Sequence, residues 1–515
     1  MKTTKKSLSQ MLATASSRRQ VKADAANLVV VARAGSGKTF TLVEGVKRIM
    51  GRKTSGVVGS PQQEAVWAEM VKGSKPRTVC FVAFNKSIAE ELGRKLPQGT
   101  QAMTLHSMGN SACRKAYGKL DLCKWKTNNL LEDYLGRDLR EVSKDRPVYV
   151  EAVIKLVGLC KQTLTDPTVE NLDALAGTFD VELNGDRDDV YEAVPEILER
   201  SRDMSNNNQI DFNDMIWLPV VNGLSCFVND LLLVDEAQDL NRCQQALAMQ
   251  CGRRLVLCGD PRQAIYGFAG ADTDSIPRMV SFLEETNNGV VQLPLTVTRR
   301  CGKVIVEAAK QIVPDFGVHE DNPQGRILQM AFDKVLETIG NGDMVLCRVN
   351  APLVGMAFKL IKMGIKANIK GRDIGEGLLS LIKRSKAVSV DGLLDWVDDF
   401  FQTESQRIAK RKNAEESALI ALEDKKACIL AFCEGAVNLG DVRDAIKAMF
   451  QDNTNTGVLL SSVHRAKGLE ANRVFILEGH LMPHPMAKSA WQAEQEANIK
   501  YVAMTRAIED LVWVA

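Results

Sequence analysis

The chain reads as an α/β protein with two parallel-sheet lobes, each interrupted by a mainly helical insertion. Three observations predict this. Short β-branched or aliphatic runs, Leu28-Val29-Val30-Val31, Leu231-Leu232-Leu233-Val234 and Arg254-Leu255-Val256-Leu257-Cys258, each end in a loop rich in polar or charged residues. Such runs suit strands buried on both faces, and parallel sheets place their chemistry at strand ends. Two long segments, about 111–210 and 371–450, lack comparable runs; the second is rich in Ala, Lys and Glu with Leu and Ile at helical spacing. With 515 residues the chain is long enough for several domains with sizeable cores.

The first run leads into Ala32-Arg33-Ala34-Gly35-Ser36-Gly37-Lys38-Thr39 and then a helix-like stretch, Phe40 to Met50. Small residues let backbone N–H groups converge on phosphate oxygens, and a helix N-terminus favours the anion. Ala34, Gly35, Ser36 and Gly37 would form the cradle, Lys38 would reach the β and γ phosphates, and Thr39 would ligate Mg²⁺. The second run ends in Asp235-Glu236-Ala237-Gln238-Asp239. Asp235 at a strand end suits a carboxylate that holds Mg²⁺ through its water shell, and Glu236 suits one that orients or deprotonates attacking water. The third run delivers Gly259-Asp260-Pro261-Arg262-Gln263, then Tyr266 and Phe268; Gln263 is placed to sense a γ-phosphate.

At this point the chain resembles a superfamily 1 DNA helicase of the UvrD/Rep/PcrA type, and further segments follow that family's motif order along nearly the whole length. Phe81-Val82-Ala83-Phe84-Asn85-Lys86 resembles motif Ia and Thr104-Leu105-His106-Ser107 motif Ib; Asp211-Phe212-Asn213-Asp214 matches an acidic–aromatic segment. Leu295-Thr296-Val297-Thr298-Arg299-Arg300 resembles motif IV, and Val345-Leu346-Cys347-Arg348-Val349-Asn350 motif IVa. Ser462-Val463-His464-Arg465-Ala466-Lys467-Gly468-Leu469-Glu470 resembles motif V, and Tyr501-Val502-Ala503-Met504-Thr505-Arg506-Ala507 motif VI.

The resemblance implies two RecA-like lobes, the first from 1–110 and 211–290 and the second from 291–370 and 451–515. The insertions would be 111–210 and a small one, 371–450. It implies ATP and Mg²⁺ as cofactors, and catalytic roles for Lys38, Asp235, Glu236, Gln263, Arg300 and Arg506. The two arginines would neutralise charge on the transferred phosphoryl group, while Gly468 and Glu470 would join the ATP site. A motor on single strands needs π-faces and backbone contacts rather than base-edge hydrogen bonds. Phe84, Tyr266 and Phe268 are the stacking candidates, with Asn85, Thr104, His106, Arg348 and His464 as further DNA contacts.

The expected activity is ATP-dependent 3′→5′ DNA helicase or single-strand translocase action on single-stranded and tailed duplex DNA, in repair, replication or recombination. The expected partners are proteins of those processes. Alternatives are an ATPase that remodels protein–DNA complexes, an RNA helicase, and a regulatory ATP-binding module; a fused nuclease is not expected after motif VI. The family's adenine-reading Gln has only Gln10 and Gln20 as candidates ahead of the loop, whereas a similar segment, Ser60-Pro61-Gln62-Gln63-Glu64-Ala65, follows it.

Composition fits. The formal charge is only +2, from 66 basic and 64 acidic residues, so phosphate affinity must come from a local groove. The run Arg407, Lys410, Arg411, Lys412 reads as a solvated helix face. Twelve cysteines without a C-x-x-C pair read as buried reduced thiols. No apolar stretch suggests a signal peptide or membrane span, so a cytoplasmic monomer, or a nuclear one in a eukaryote, is expected.

Overall fold

The computed structural model describes residues 25–515 apart from 84, 180, 184, 206–207, 266–274, 286–287, 410–415, 451–456, 486 and 488–489. The chain divides into two compact units: residues up to Arg33 with Gly37–Leu295, and Thr296–Ala515 with Ala34–Ser36.

The first unit is built on a six-stranded parallel sheet of β1 (Asn27–Ala32), β2 (Val79–Val82), β3 (Thr100–Met103), β6 (Asn229–Val234), β7 (Gly252–Gly259) and β8 (Val290–Leu295), in the order β3-β2-β6-β7-β1-β8. The aliphatic runs are nearly continuous because both faces are covered. Leu28 and Val30 face a core with Leu42, Trp67, Phe81 and Leu233. Val29 faces the opposite core with Leu232, Val234 and Leu257. This is the period-two alternation of a strand with apolar partners on both sides.

Register fixes where chemistry collects. Val31 pairs with Gly259 and Val234 with Leu257. The loops after β1, β6 and β7 therefore leave the same edge of the sheet side by side. Residues 291–295, expected in the second lobe, belong here instead: they continue β8 along β1 from Asn27↔Val290 to Ala32↔Leu295.

Between β3 and β6 lies a helical block, including Leu105–Tyr117, Lys126–Leu135, Pro147–Thr163 and Arg187–Arg202, with one short strand pair, β4 (Asp121–Leu122) beside β5 (Gln209–Ile210). It shares its core with one face of the sheet. Helix Phe212–Val221 locks it down: Asp211 caps the helix in a reciprocal box with Asp214. Lys126 Nζ lies 2.7 Å from Asp214 Oδ2, while Lys161 Nζ lies 2.8 Å from Asp214 Oδ1 and 3.0 Å from Asp211 Oδ2. Burial would raise the Asp214 pKa, but Lys161 and Lys126 outweigh it and hold the carboxyl below its usual range.

In the second unit a short pair, β9 (Val297–Thr298) beside β10 (Gly317–Val318), precedes a parallel sheet in the order β11-β16-β15-β12-β14-β13, with β11 (Arg326–Met330), β12 (Met344–Cys347), β13 (Ala367–Ile369), β14 (Val458–Ser462), β15 (Ala471–Ile476) and β16 (Ala507–Val514). Helices Arg372–Ser385, Val390–Ala409, Glu416–Cys433 and Leu439–Met449 intervene between β13 and β14. Their Leu378, Val397, Ile429 and Phe432 join Val345, Cys347 and Leu460 of the sheet in one core. Among the described residues no helix is long and apolar enough to cross a membrane.

Replacing Asp214 leaves two lysine ammonium groups buried without their main counter-ion. Asp214→Ala is expected to lower unfolding free energy by about 3–5 kcal/mol, as read from urea denaturation. A loss below about 1 kcal/mol, the range of a solvated ion pair, would mean that the cluster does not hold the helical block.

Candidate functional site

The loop after β1 turns through Gly35 (φ 66°) and Gly37 (φ 80°), left-handed conformations in which a Cβ is strained, so both glycines are required for the loop's shape. Helix Lys38–Ile49 starts directly from this turn. Its first two side chains meet the loop after β6: Lys38 Nζ lies 2.9 Å from Glu236 Oε2, and Thr39 Oγ1 donates to Asp235 Oδ2 at 2.6 Å.

Glu236 takes a left-handed conformation (φ 53°, ψ 42°) uncommon for a residue with a side chain. Its neighbours hold it there. The Glu236 N–H donates to Asp235 Oδ1 at 2.9 Å, and Gln238 Nε2 donates to Glu236 Oε2 at 2.6 Å. Gln238 Oε1 in turn accepts from the Asp260 N–H at 3.1 Å. Asp260 takes a hydrogen bond from Gln263 Nε2 at 2.7 Å and pairs with Arg33 at 3.2 Å. One network thus joins Lys38, Thr39, Asp235, Glu236 and Gln263. Gln238, Asp260 and Arg33 complete it; sequence reasoning gave them no role, although Asp260 stands where a strand-end carboxylate is expected.

The electrostatics are those of carboxylates brought close together and partly removed from water. Burial, together with the neighbouring Glu236 charge, pushes the Asp235 carboxyl up to about 6. Burial likewise raises Asp260, although Lys38 and Arg33 oppose it. Burial disfavours the Lys38 ammonium, but Glu236, Asp235 and Asp260 overcome it and raise its pKa, so Lys38 stays charged. A divalent cation fits here: Thr39 and Asp235 present adjoining hard oxygen donors, and the excess of carboxylate would be relieved by a cation.

The remaining predicted residues divide by unit. Asn85 caps helix Lys86–Lys95 and Thr104 caps helix Leu105–Tyr117 through their side-chain oxygens. His106 packs edge-on against Phe212, whose side chain is exposed. Burial lowers the His106 pKa. Phe84, Tyr266 and Phe268 lie outside the described residues, as do Gln10 and Gln20 and most of the 407–412 basic run.

In the second unit Arg300 forms a 2.5 Å ion pair with Glu470 and donates to the Thr505 carbonyl. Gly468, at φ 85°, allows the turn that brings Leu469 and Glu470 into place. Arg506 is fully enclosed and donates to the carbonyls of Val502 and Leu469, both at 3.0 Å. Arg348 grips Glu496 through two guanidinium nitrogens, the shorter contact being 2.7 Å. Burial drives the His464 pKa down to about 3, helped by the positive charges of Arg348, Arg465 and Lys467, so its ring is neutral at physiological pH.

Comparison with known proteins gives a consistent picture. The UvrD/REP helicase N-terminal domain family matches residues 13–282, and the UvrD-like helicase C-terminal domain family matches 378–514. F-box DNA helicase protein 1 of Schizosaccharomyces pombe is 25% identical over 319 residues, 55% of this chain and 33% of that protein. ATP-dependent DNA helicase UvrD2 of Mycobacterium bovis is 26% identical over 362 residues, 58% of this chain and 50% of that protein. ATP-dependent DNA helicase PcrA of Staphylococcus aureus is 24% identical over 331 residues, 59% and 40%. The matches thus span a third to a half of each relative's length.

Two titrations follow. Asp235 binds its proton more tightly folded (about 6) than at its ordinary 3.8, so its contribution to stability is fully present below pH 4 and lost as pH rises through 6. Asp235→Asn is therefore expected to stabilise the protein at pH 8 by about 1–3 kcal/mol. Thermal unfolding at pH 8 and pH 4 checks it, the gain vanishing at the lower pH. His464 has the opposite sign for a base: with a folded value of about 3 against 6.5, it withholds stability increasingly as pH falls below 6.5. His464→Asn should cut the loss of stability between pH 7 and pH 5 by about 2 kcal/mol, measured by denaturation at the two pH values.

Proposed function

The chain belongs to the UvrD/REP helicase family, and from that premise we propose that it is an ATP-dependent DNA helicase or single-strand translocase moving 3′→5′. The observation that carries the reading is the single network joining the phosphate-loop residues Lys38 and Thr39 to Asp235, Glu236 and Gln263.

Lys38 pairs with Glu236. A triphosphate entering the loop offers Lys38 more negative charge, so Lys38 turns to the phosphates and releases Glu236 to orient or deprotonate the attacking water. Thr39 and Asp235 would hold Mg²⁺, which when bound neutralises phosphate charge. Gln263 connects to Glu236 through Asp260 and Gln238. This path is suited to report occupation of the γ-phosphate position to the residues that follow Gln263 in sequence, Tyr266 and Phe268 among them. Arg300 and Arg506 are proposed as the cations that stabilise charge on the transferred phosphoryl group. Their pairing with Glu470 and with backbone carbonyls fixes their orientation in advance.

For DNA we propose contacts from Asn85, Thr104, His106, Arg348 and His464, with Phe84, Tyr266 and Phe268 stacking on bases. With a neutral His464 ring, strand binding through it is hydrogen bonding rather than charge pairing. Processes of repair, replication or recombination, and the proteins that serve them, are the fitting context.

The test is strand separation on matched duplexes carrying a 3′ or a 5′ single-stranded tail. ATP-dependent unwinding from the 3′ tail alone is expected, with Lys38→Ala lowering ATP turnover by about a hundredfold or more. Unwinding from the 5′ tail would overturn the polarity. DNA-stimulated hydrolysis without unwinding would favour the remodelling ATPase, and stronger stimulation by single-stranded RNA than DNA would favour an RNA substrate.

A further inference from the structure

The segment Ser60–Met70, which follows the phosphate-loop helix in sequence, is attached to the first turn of that helix through the buried Thr41 and further along through Arg48, which pairs with Glu64. The Thr41 hydroxyl donates to the Gly37 carbonyl at 2.9 Å and accepts from Gln63 Nε2 at 3.0 Å. The Thr41 carbonyl accepts from Trp67 Nε1 at 2.8 Å. Gln63 is itself fixed: Ser60 and Gln63 form a reciprocal capping box, with the Ser60 N–H donating to Gln63 Oε1 at 2.9 Å. The Gln63 amide stands 3.6 Å from where a Cβ on Gly37 would lie.

The helix is held along its whole length. Thr41, Gln63 and Trp67 are 1%, 3% and 1% exposed. The Trp67 ring fills the space beside Gly45 and Gly59, with the Arg48 guanidinium over its face. At the far end Arg254 of β7 donates to the carbonyls of Glu69, Met70 and Lys72, and to Ala26 just before β1. The element is therefore bolted to the sheet at one end and to the first turn of the phosphate-loop helix at the other.

We infer that Gln63 is a positioning residue for the phosphate loop, acting through Thr41 on the Gly37 carbonyl rather than by touching nucleotide. Gly37 is the left-handed residue from which the helix N-terminus begins. A backbone N–H array binds phosphate well only if its donors already converge. Fixing the Gly37 carbonyl from behind removes a freedom that binding would otherwise have to freeze. The amide acts on the loop and not on a base, so its contribution is the same for any ligand that carries the polyphosphate.

The inference rests on the reading of this loop as a triphosphate site, and the experiment separates the two. Binding of ATP, GTP and inorganic tripolyphosphate is measured calorimetrically in the presence of Mg²⁺ for wild type, Gln63→Leu, Thr41→Val and Thr41→Ser. Both Gln63→Leu and Thr41→Val are expected to weaken all three ligands by a common factor of about five to ten. The double variant should lose no more than the worse single one, and Thr41→Ser, which keeps the hydroxyl, should restore wild-type affinity.

Loss of ATP affinity in Gln63→Leu with tripolyphosphate unaffected would overturn the inference and make Gln63 a base-reading residue. Equal affinities in wild type and Thr41→Val would overturn it too. Thr41→Ser tests the hydroxyl even if a larger change at Gln63 impairs folding: a serine variant that bound as weakly as Thr41→Val would count against the inference. Wild-type protein that bound none of the three ligands would overturn both readings.

Discussion

Two adjacent carboxylates, Asp235 and Glu236, meet the Lys38 ammonium at the end of one buried strand, and this crowding of charge governs the first unit. Its cost is visible in the raised Asp235 pKa and in the left-handed backbone of Glu236. A protein selected for stability alone would not keep two such charges so close together. They persist because the sheet order forces the meeting: with β7 between β6 and β1, and the strand ends level, the loops after all three strands leave the sheet together. Any phosphate-cradling loop after β1 is then opposite the carboxylates after β6. The same geometry explains why Asp260, at the end of β7, becomes the bridge between Gln263 and Gln238.

The helical block is handled differently. Lys126 and Lys161 come from separate helices and converge on Asp211 and Asp214 with almost no solvent access. Apolar residues could fill that space as cheaply. What the ions add is direction: Asp211 and Asp214 are also the capping box of Phe212–Val221, so one set of carboxylates both starts that helix and fixes where the inserted helices sit on it. Gly109 completes the fit, since a Cβ there would overlap the Met215 carbonyl. The Phe212 ring beside His106 is carried by the same junction.

Much of this was legible from residue order. The strands over 28–31, 231–234 and 254–258 follow from aliphatic runs that need cover on both faces, and the meeting of Lys38, Thr39, Asp235 and Glu236 follows from small-residue and acidic loops at strand ends. What escaped depends on register or on contacts between distant helices. Val290–Leu295 looks like the start of the next lobe, until its pairing with β1 is known. Asp214 carries no mark in sequence that two lysines, 88 and 53 positions away, will be buried against it. Gln63 lies in a segment similar to the family's adenine-reading motif, yet its partner Thr41 lies 22 residues earlier, and only helix packing brings them into contact. Ten of the twelve cysteines are buried, and desolvation raises thiols such as Cys243 and Cys258, as their scattered positions suggest.

The second unit holds its arginines in different ways. A guanidinium has five donors in a fixed plane. Arg506 commits donors to the carbonyls of Leu469 and Val502, neutral acceptors that orient the group. Arg300, by contrast, is paired with the half-exposed carboxylate of Glu470. A solvated carboxylate is a weak competitor for a guanidinium when a multiply charged phosphate is the alternative. Arg348 faces a buried Glu496 through a bidentate grip and is the hardest of the three to redirect. Of the two arginines paired with carboxylates, Arg348 is therefore held more firmly than Arg300.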